Sequence, residues 1–123
     1  MKDLIATQLV RYLEGRGVRH VFGLCGHTNI AVLSAMANSK LHFVTVRHEQ
    51  IAAHAADGYA RVTGRASVLL LDLSPGLANA ATGVVNAALD LHPDGGDRGR
   101  RAQLTLRQAS ASGSEPVRRR QPV

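Results

Sequence analysis

The sequence predicts an α/β fold over residues 1–91, a partial three-layer structure with a parallel sheet between flanking helices. Two short apolar runs rich in β-branched residues, LHFVTV and ASVLLLDL, have the composition of buried strands. Each leads into an Ala-rich segment with helical periodicity, and this alternation is typical of parallel sheets with right-handed crossovers. After Leu91 apolar residues are scarce, so residues 92–123 are predicted to be a disordered, Arg-rich tail.

The predicted elements follow one another in a regular order. Apolar residues at helical spacing predict a first helix, and Thr28 or Asn29 is expected to cap the second. In chain order we predict a helix over 3–15, a strand over 19–24, a helix over 29–39, a strand over 41–46, a helix over 50–62 that ends at Gly64, a strand over 66–73, a turn at 74–76 and a helix over 77–89.

Most of the net charge of +6 lies in the tail. Residues 1–91 contain eight Lys or Arg and six Asp or Glu (+2), whereas residues 92–123 contain seven Arg and three acids (+4). A basic excess favours nucleic acid or anionic membrane as a partner. Because the excess belongs to the tail, we do not expect nucleic acid to be a partner of the folded part.

Composition also indicates the compartment. The single cysteine, Cys25, excludes an internal disulfide and a cysteine-rich zinc site, and it fits a reducing compartment. The first fifteen residues have the pattern of an amphipathic helix rather than a signal peptide. No apolar run approaches the roughly 18 residues of a membrane span. We therefore expect a cytoplasmic protein that does not associate with membranes.

Glu49 stands at the joint between a predicted strand and the helix that follows it. At the carboxyl edge of an open α/β sheet the loops diverge and helix amino ends point at ligands, so an acid there is a candidate for catalysis. An acid in a first helical turn is more often a dipole partner or a capping-box member, worth at most about 1 kcal/mol. Position alone leaves both interpretations open.

Three predicted loops should converge on that edge, because the carboxyl ends of parallel strands lie together. They are residues 25–28, 47–50 and 74–79. Four of their residues are expected to line one cleft: Gly26, Glu49, Pro75 and Asn79.

Three segments of residues 1–91 resemble the N-terminal pyrimidine-binding domain of thiamine diphosphate enzymes of the acetolactate synthase and pyruvate oxidase group. They are GVRHVFGLCG, VRHEQIAAHAADGYARVTG and SPGLANAATGVVNAALD, which have the order and spacing of the family. The middle segment is the most specific, because it joins Arg-His-Glu-Gln to an Ala-rich helix that ends in Gly-Tyr-Ala-Arg.

The resemblance implies that Glu49 is the catalytic residue. In such enzymes the matching glutamate binds N1′ of the cofactor's aminopyrimidine and favours the imino tautomer, which takes the proton from C2 of the thiazolium. The substrates would be 2-oxo acids or acyl compounds, and the chemistry that of a lyase or transferase. The residues implied to contact the aminopyrimidine or to shape its pocket are Cys25, Gly26, His27, Pro75, Gly76 and Asn79.

Two positions depart from the family pattern. Cys25 stands where many members have proline, and His27 stands where a small residue is common. His27 has two open interpretations, a contact with substrate as an acid-base group, or a cap or solvent contact.

The resemblance also implies parts that this sequence does not contain. Family members bind the cofactor's diphosphate through magnesium with a second domain, which carries a Gly-Asp-Gly motif, and they work as homodimers or tetramers. We therefore expect the chain to supply half of a site and to be inactive alone.

When the codons of residues 91–102 are shifted by one base, they permit Ser-Ile-Pro-Met-Val-Val-Ile-Ala-Gly-Asp-Val-Pro, the next strand of the family. From this we infer a frameshift or misread base near Leu91, which the nucleotide sequence would test.

Two alternative functions remain at this point. One is a non-enzymatic α/β interaction module whose basic tail binds nucleic acid. The other is a split subunit that pairs with a separately encoded diphosphate-binding partner. The substrate within the group is not determined by these residues.

Overall fold

The computed structural model describes residues 4–89. The predicted disordered tail and the inferred frameshift lie outside the described residues and stay predictions.

Residues 4–89 form four α-helices, three strands and one 3₁₀ turn. In chain order they are α1 (Ile5–Gly15), β1 (His20–Gly23), the 3₁₀ turn (His27–Asn29), α2 (Ile30–Met36), β2 (His42–Thr45), α3 (Glu49–Thr63), β3 (Val68–Leu70) and α4 (Leu73–Leu89).

The three strands form one parallel sheet in the order β2-β1-β3. His20 at the start of β1 pairs with His42 of β2, and Val21 pairs with Val68 of β3. The first strand is therefore central, and the carboxyl ends of all three strands meet at one edge. The loops that leave this edge lead into the 3₁₀ turn, α3 and α4.

Helices cover both faces of the sheet, because successive apolar residues along a strand point to opposite faces. On one face Val21 of β1 packs with Val10 of α1 and Met36 of α2. On the other face Phe22 packs with Ala52 of α3 and Ala80 of α4. The predicted three-layer α/β arrangement is confirmed.

The joint between β3 and α4 differs from the prediction. The strand predicted over 66–73 spans only Val68–Leu70, and the predicted turn at 74–76 lies in the first turns of α4. Leu73 has φ +53°, the one positive φ of a non-glycine residue among residues 4–89. This left-handed residue turns the chain from strand to helix within three residues, and it costs about 1–2 kcal/mol. Pro75 is compatible with the first turn of a helix.

Both predicted helix ends can be compared with the structure. Gly64 ends α3 with φ +66°, and its N–H donates to the carbonyl of Ala60 at 2.9 Å, which confirms the predicted glycine stop. Asn29 occupies the N-cap position of α2, but its side chain does not cap the helix. Instead it accepts from the N–H of Gly26 at 3.0 Å and donates to the carbonyl of Leu24 at 2.9 Å. The buried Asn29 side chain thus stabilises the loop after β1.

Candidate functional site

Glu49 is the first residue of α3 and is half-buried at the carboxyl edge of the sheet. The cap of this helix is the preceding residue, His48, whose backbone is extended (φ −155°, ψ 139°) and whose Nδ1 accepts from the N–H of Gln50 at 3.2 Å. Because His48 provides the cap, the carboxylate of Glu49 is available for contacts across the edge.

Those contacts join Glu49 to α4. The side-chain amide of Asn79 donates to Oε2 of Glu49 at 3.0 Å. The other oxygen, Oε1, lies above Gly76, where a Cβ would come within 3.3 Å of it. The first turns of α4 therefore hold one oxygen of the carboxylate and leave space beside the other.

A second carboxylate, Asp72, joins the loop after β1 to the start of α4. It accepts a hydrogen bond from the N–H of Thr28 at 3.0 Å and another from the hydroxyl of the same residue. Its own carbonyl accepts from the N–H of Gly76 at 3.2 Å. Asp72 thus connects the loop that carries Gly26 to the helix turn that lies against Glu49.

The Asp72 carboxylate is stabilised in its charged form. The hydroxyl of Thr28, and then its N–H, lower the pKa of Asp72, and His27 acts in the same direction through its N–H and its charge. Loss of solvent around the carboxylate raises the pKa; this effect is weaker than either Thr28 contribution but larger than those of His27. The hydrogen bonds to Thr28 are therefore strongest when Asp72 is ionised.

Gly23 at the end of β1 and Gly26, which was predicted to contact the aminopyrimidine, both lie close to other parts of the protein. A Cβ on Gly23 would overlap the carbonyl of Leu70 in the neighbouring strand, and one on Gly26 would overlap the carboxyl group of Asp72. The close approaches at both positions are made by the protein itself, so small size is required here for packing.

The structure brings some of the predicted residues together and leaves others apart. Asn79 and Gly76 both lie against Glu49, and Gly26 is linked to Gly76 through Asp72. The remaining predicted residues lie exposed on the same edge: Cys25, His27 and Pro75. The cofactor-binding roles of all of them stay predictions.

Thr28 and Asp72 have roles that the sequence interpretation did not assign. Asp72 ends an apolar strand, but its partner could not be named from the sequence, because Thr28 lies 44 residues earlier in the chain. A charged residue at the end of an apolar strand was the one available signal.

Two further properties concern residues 4–89 only. Within this range no three His, Cys, Asp or Glu side chains are grouped as metal ligands would be. None of the helices in the range combines the length and the apolar character needed to cross a membrane.

Comparison with the sequences of known proteins identifies the family of this chain. Residues 4–93 match the family described as "Thiamine pyrophosphate enzyme, N-terminal TPP binding domain". The chain therefore belongs to the thiamine pyrophosphate (thiamine diphosphate) enzyme family, as its N-terminal cofactor-binding domain.

Within that family the chain is similar to acetolactate synthases. It is 42% identical over 89 residues to the acetolactate synthase isozyme 3 large subunit of Escherichia coli. Over 89 residues it is 39% identical to the acetolactate synthase large subunit of Buchnera aphidicola, and over 88 residues 40% identical to the probable acetolactate synthase large subunit of Methanocaldococcus jannaschii. These matches cover 72% of this chain and 15–16% of each relative. The resemblance seen in the three sequence segments is confirmed, and the chain spans less than a fifth of the length of these relatives.

Proposed function

We propose that residues 4–89 supply the aminopyrimidine-binding half of a thiamine diphosphate site in an acetolactate synthase-like enzyme that converts 2-oxo acids. Glu49 is the residue that activates the cofactor in this proposal. Cys25, Gly26, His27, Pro75, Gly76 and Asn79 border the ring.

The contact between Glu49 and Asn79 is the observation that carries the proposal. A carboxyl group that shares a proton with a ring nitrogen must be held in place while one oxygen stays accessible. Asn79 engages Oε2 at 3.0 Å, and the absence of a side chain at Gly76 leaves space beside Oε1. The residues present therefore fit the aminopyrimidine.

The cofactor supplies a carbon nucleophile and an electron sink for 2-oxo acids when it is bound, and the protein supplies placement. Residues 4–89 hold and orient the carboxylate. As the family resemblance implies, the diphosphate and its magnesium would be bound by a separate domain. A homodimer or tetramer would bring the two halves together, and the chain alone would be inactive.

A chimeric enzyme tests this function. Residues 4–89 replace the matching segment of the Escherichia coli acetolactate synthase isozyme 3 large subunit, and acetolactate formation is measured with added thiamine diphosphate and magnesium. We expect an active chimera whose kcat falls about 10²- to 10⁴-fold on Glu49→Gln, because a positioned proton-transfer group typically contributes that factor. Its thermal midpoint should not change.

Glu14→Gln is the matched control. Glu14 accepts from the N–H of Lys40 at 2.6 Å, far from the carboxyl edge of the sheet, so this variant should keep its activity.

A direct binding measurement covers the case of a chimera that does not assemble. Thiamine added to the 123-residue chain should shift the amide NMR signals of residues 26, 49, 76 and 79, and the shifts should disappear on Glu49→Gln. Full activity of the Glu49→Gln chimera, or thiamine shifts that survive this substitution, would contradict the proposal.

The two alternative functions depend on other features. Nucleic-acid binding was attributed to the tail, residues 92–123, which lies outside the described residues. A split subunit depends on a separate partner. The contacts around Glu49 do not support nucleic-acid binding, and they are the same for a split subunit as for a domain of a longer enzyme.

A further inference from the structure

A depression of about 450 Å³ opens at the amino ends of β1 and β3, the edge of the sheet opposite Glu49. It is lined by Arg16, Gly17, Arg19, Gly64, Arg65 and Ala66. Three of these six residues carry guanidinium groups. The depression is thus strongly basic, although residues 4–89 as a whole are only weakly so.

Two tight turns form its walls. The turn between α1 and β1 contains Gly17 with φ +78°, and the turn between α3 and β3 contains Gly64 with φ +66°. No atom lies within 4 Å of the position that a Cβ would take at either glycine. The space beside both glycines is therefore open, and the three arginines are among the residues that line the same depression.

The described carboxylates do not neutralise these arginines. Residues 4–89 contain four acids, and each has its contact elsewhere. Glu14 accepts from the N–H of Lys40, Glu49 from Asn79, Asp57 from Arg61 and Asp72 from Thr28. The positive charge of the depression has no counterion among the described residues.

The nearby helix ends do not neutralise the charge of the three arginines either. The carboxyl ends of α1 and α3 both face this edge, and each is equivalent to roughly half a negative charge. Their last carbonyls already accept backbone hydrogen bonds, from the N–H groups of residues 16–18 and of Gly64. Three full positive charges exceed the two partial ones by about two elementary charges, so the depression keeps a net positive charge that attracts anions.

We propose that this depression binds a small, multiply charged phosphate compound. Guanidinium groups present planar forks that pair with phosphate oxygens two at a time, and three of them around one concavity suit an anion with several charges. The site lies at the opposite edge of the sheet from Glu49, and the proposal is independent of the cofactor site.

The test uses the 123-residue chain and inorganic triphosphate in low-salt buffer, followed by amide NMR. We expect saturable shifts centred on residues 16–19 and 64–66, with an affinity that falls as salt is added. Arg65→Gln should weaken binding by about tenfold or more, because it removes a charge-assisted hydrogen bond. The combined substitution Arg16→Gln, Arg19→Gln and Arg65→Gln should abolish it.

Arg47→Gln is the matched control, since it removes the same charge from the β2–α3 loop, and binding should persist. A dispersed amide spectrum shows that each variant is folded. Two further samples identify the source of the phosphate, a short DNA duplex and vesicles of phosphatidylglycerol. Preferential binding of triphosphate supports the proposal. Three results would overturn it. They are amide shifts spread over all basic residues, an equal loss of triphosphate affinity in Arg47→Gln and Arg65→Gln, and tighter binding of DNA or vesicles through these arginines.

Discussion

The side-chain amide of Asn79 donates a hydrogen bond of 3.0 Å to Oε2 of Glu49, across 30 residues of chain. This bond joins the start of α3 to the second turn of α4, the two helices that leave β2 and β3. It gives the carboxylate an orientation that the strand-helix joint alone would not impose.

Asn79→Asp should impair the cofactor site without unfolding the domain. The substitution keeps the shape of the side chain but replaces the amide donor by a second carboxylate, which repels Glu49. We expect kcat of the chimeric enzyme to fall by a factor of about ten or more, because displacing the Glu49 carboxylate should raise the activation free energy. A rise of about 1.4 kcal/mol lowers the rate tenfold. Asn38→Asp makes the same chemical change at an exposed position in the α2–β2 turn and should leave kcat unchanged. An Asn79→Asp chimera with unchanged kcat would show that the bond does not position Glu49.

Gly76→Ala and Gly58→Ala form a matched pair of helix substitutions. Alanine favours a helix over glycine by up to about 1 kcal/mol, so both could raise the free energy of unfolding. At Gly76 the new Cβ would come within 3.3 Å of Oε1 of Glu49, whereas at Gly58 nothing lies within 4 Å. We expect urea unfolding to show a smaller gain in the free energy of unfolding for Gly76→Ala than for Gly58→Ala. Only Gly76→Ala should reduce the activity of the chimera. Equal activity of the two variants would mean that the carboxylate does not need the space above Gly76.

Asp72 should make the stability of the domain sensitive to acid. The pKa of Asp72 is lowered from its ordinary value of 3.8, chiefly by the hydroxyl and N–H of Thr28. A lowered folded-state pKa contributes stability that is present above 3.8 and is lost as the pH falls through the folded-state value. We expect Asp72→Asn to reduce stability at neutral pH and to flatten its decline in acid, as measured by urea unfolding over a pH series.

Asp57→Asn is the control for this experiment. Asp57 pairs with Arg61 on the surface of α3 at 2.8 Å, and such a pair is worth at most about 1 kcal/mol. This variant should keep the decline in acid that Asp72 produces. An unaltered pH profile for Asp72→Asn would mean that the bonds to Thr28 do not stabilise the charged form.

His20→Phe should maintain or increase the stability of the domain. Nδ1 of His20 is buried without a hydrogen-bond partner among residues 4–89, and an unsatisfied buried group of this kind costs about 1–3 kcal/mol. The ring packs against Tyr59 with centroids 4.7 Å apart and stacks on His42 at 5.5 Å, contacts that phenylalanine can keep. We expect the free energy of unfolding to stay constant or to rise by about 1 kcal/mol. His42→Phe, at an exposed position, should change it by less than about 0.5 kcal/mol. A clear fall in the free energy of unfolding of His20→Phe, without one in His42→Phe, would reveal a partner for Nδ1.

Local pattern was sufficient for the class of fold and for the position of Glu49. Continuous apolar runs in the strands and helical spacing between them depend on neighbours in sequence, so three layers could be predicted from adjacent apolar residues such as Val21 and Phe22. The boundary of β3 could not be predicted, because the apolar run continues through Leu71 and Leu73 into α4. Apolar character does not reveal that Leu73 adopts a left-handed conformation.

The sequence by itself determined that strand and helix alternate, that Glu49 stands where a strand leads into a helix, and that the segments resemble those of a cofactor-binding domain. The tertiary structure alone decided which side chains meet at that edge. Asn79 reaches Glu49 across 30 residues, and Thr28 reaches Asp72 across 44. Such bonds depend on the sheet order β2-β1-β3 and on the start of α4 at Leu73, which arise from packing of distant segments and leave no periodic signal in the chain.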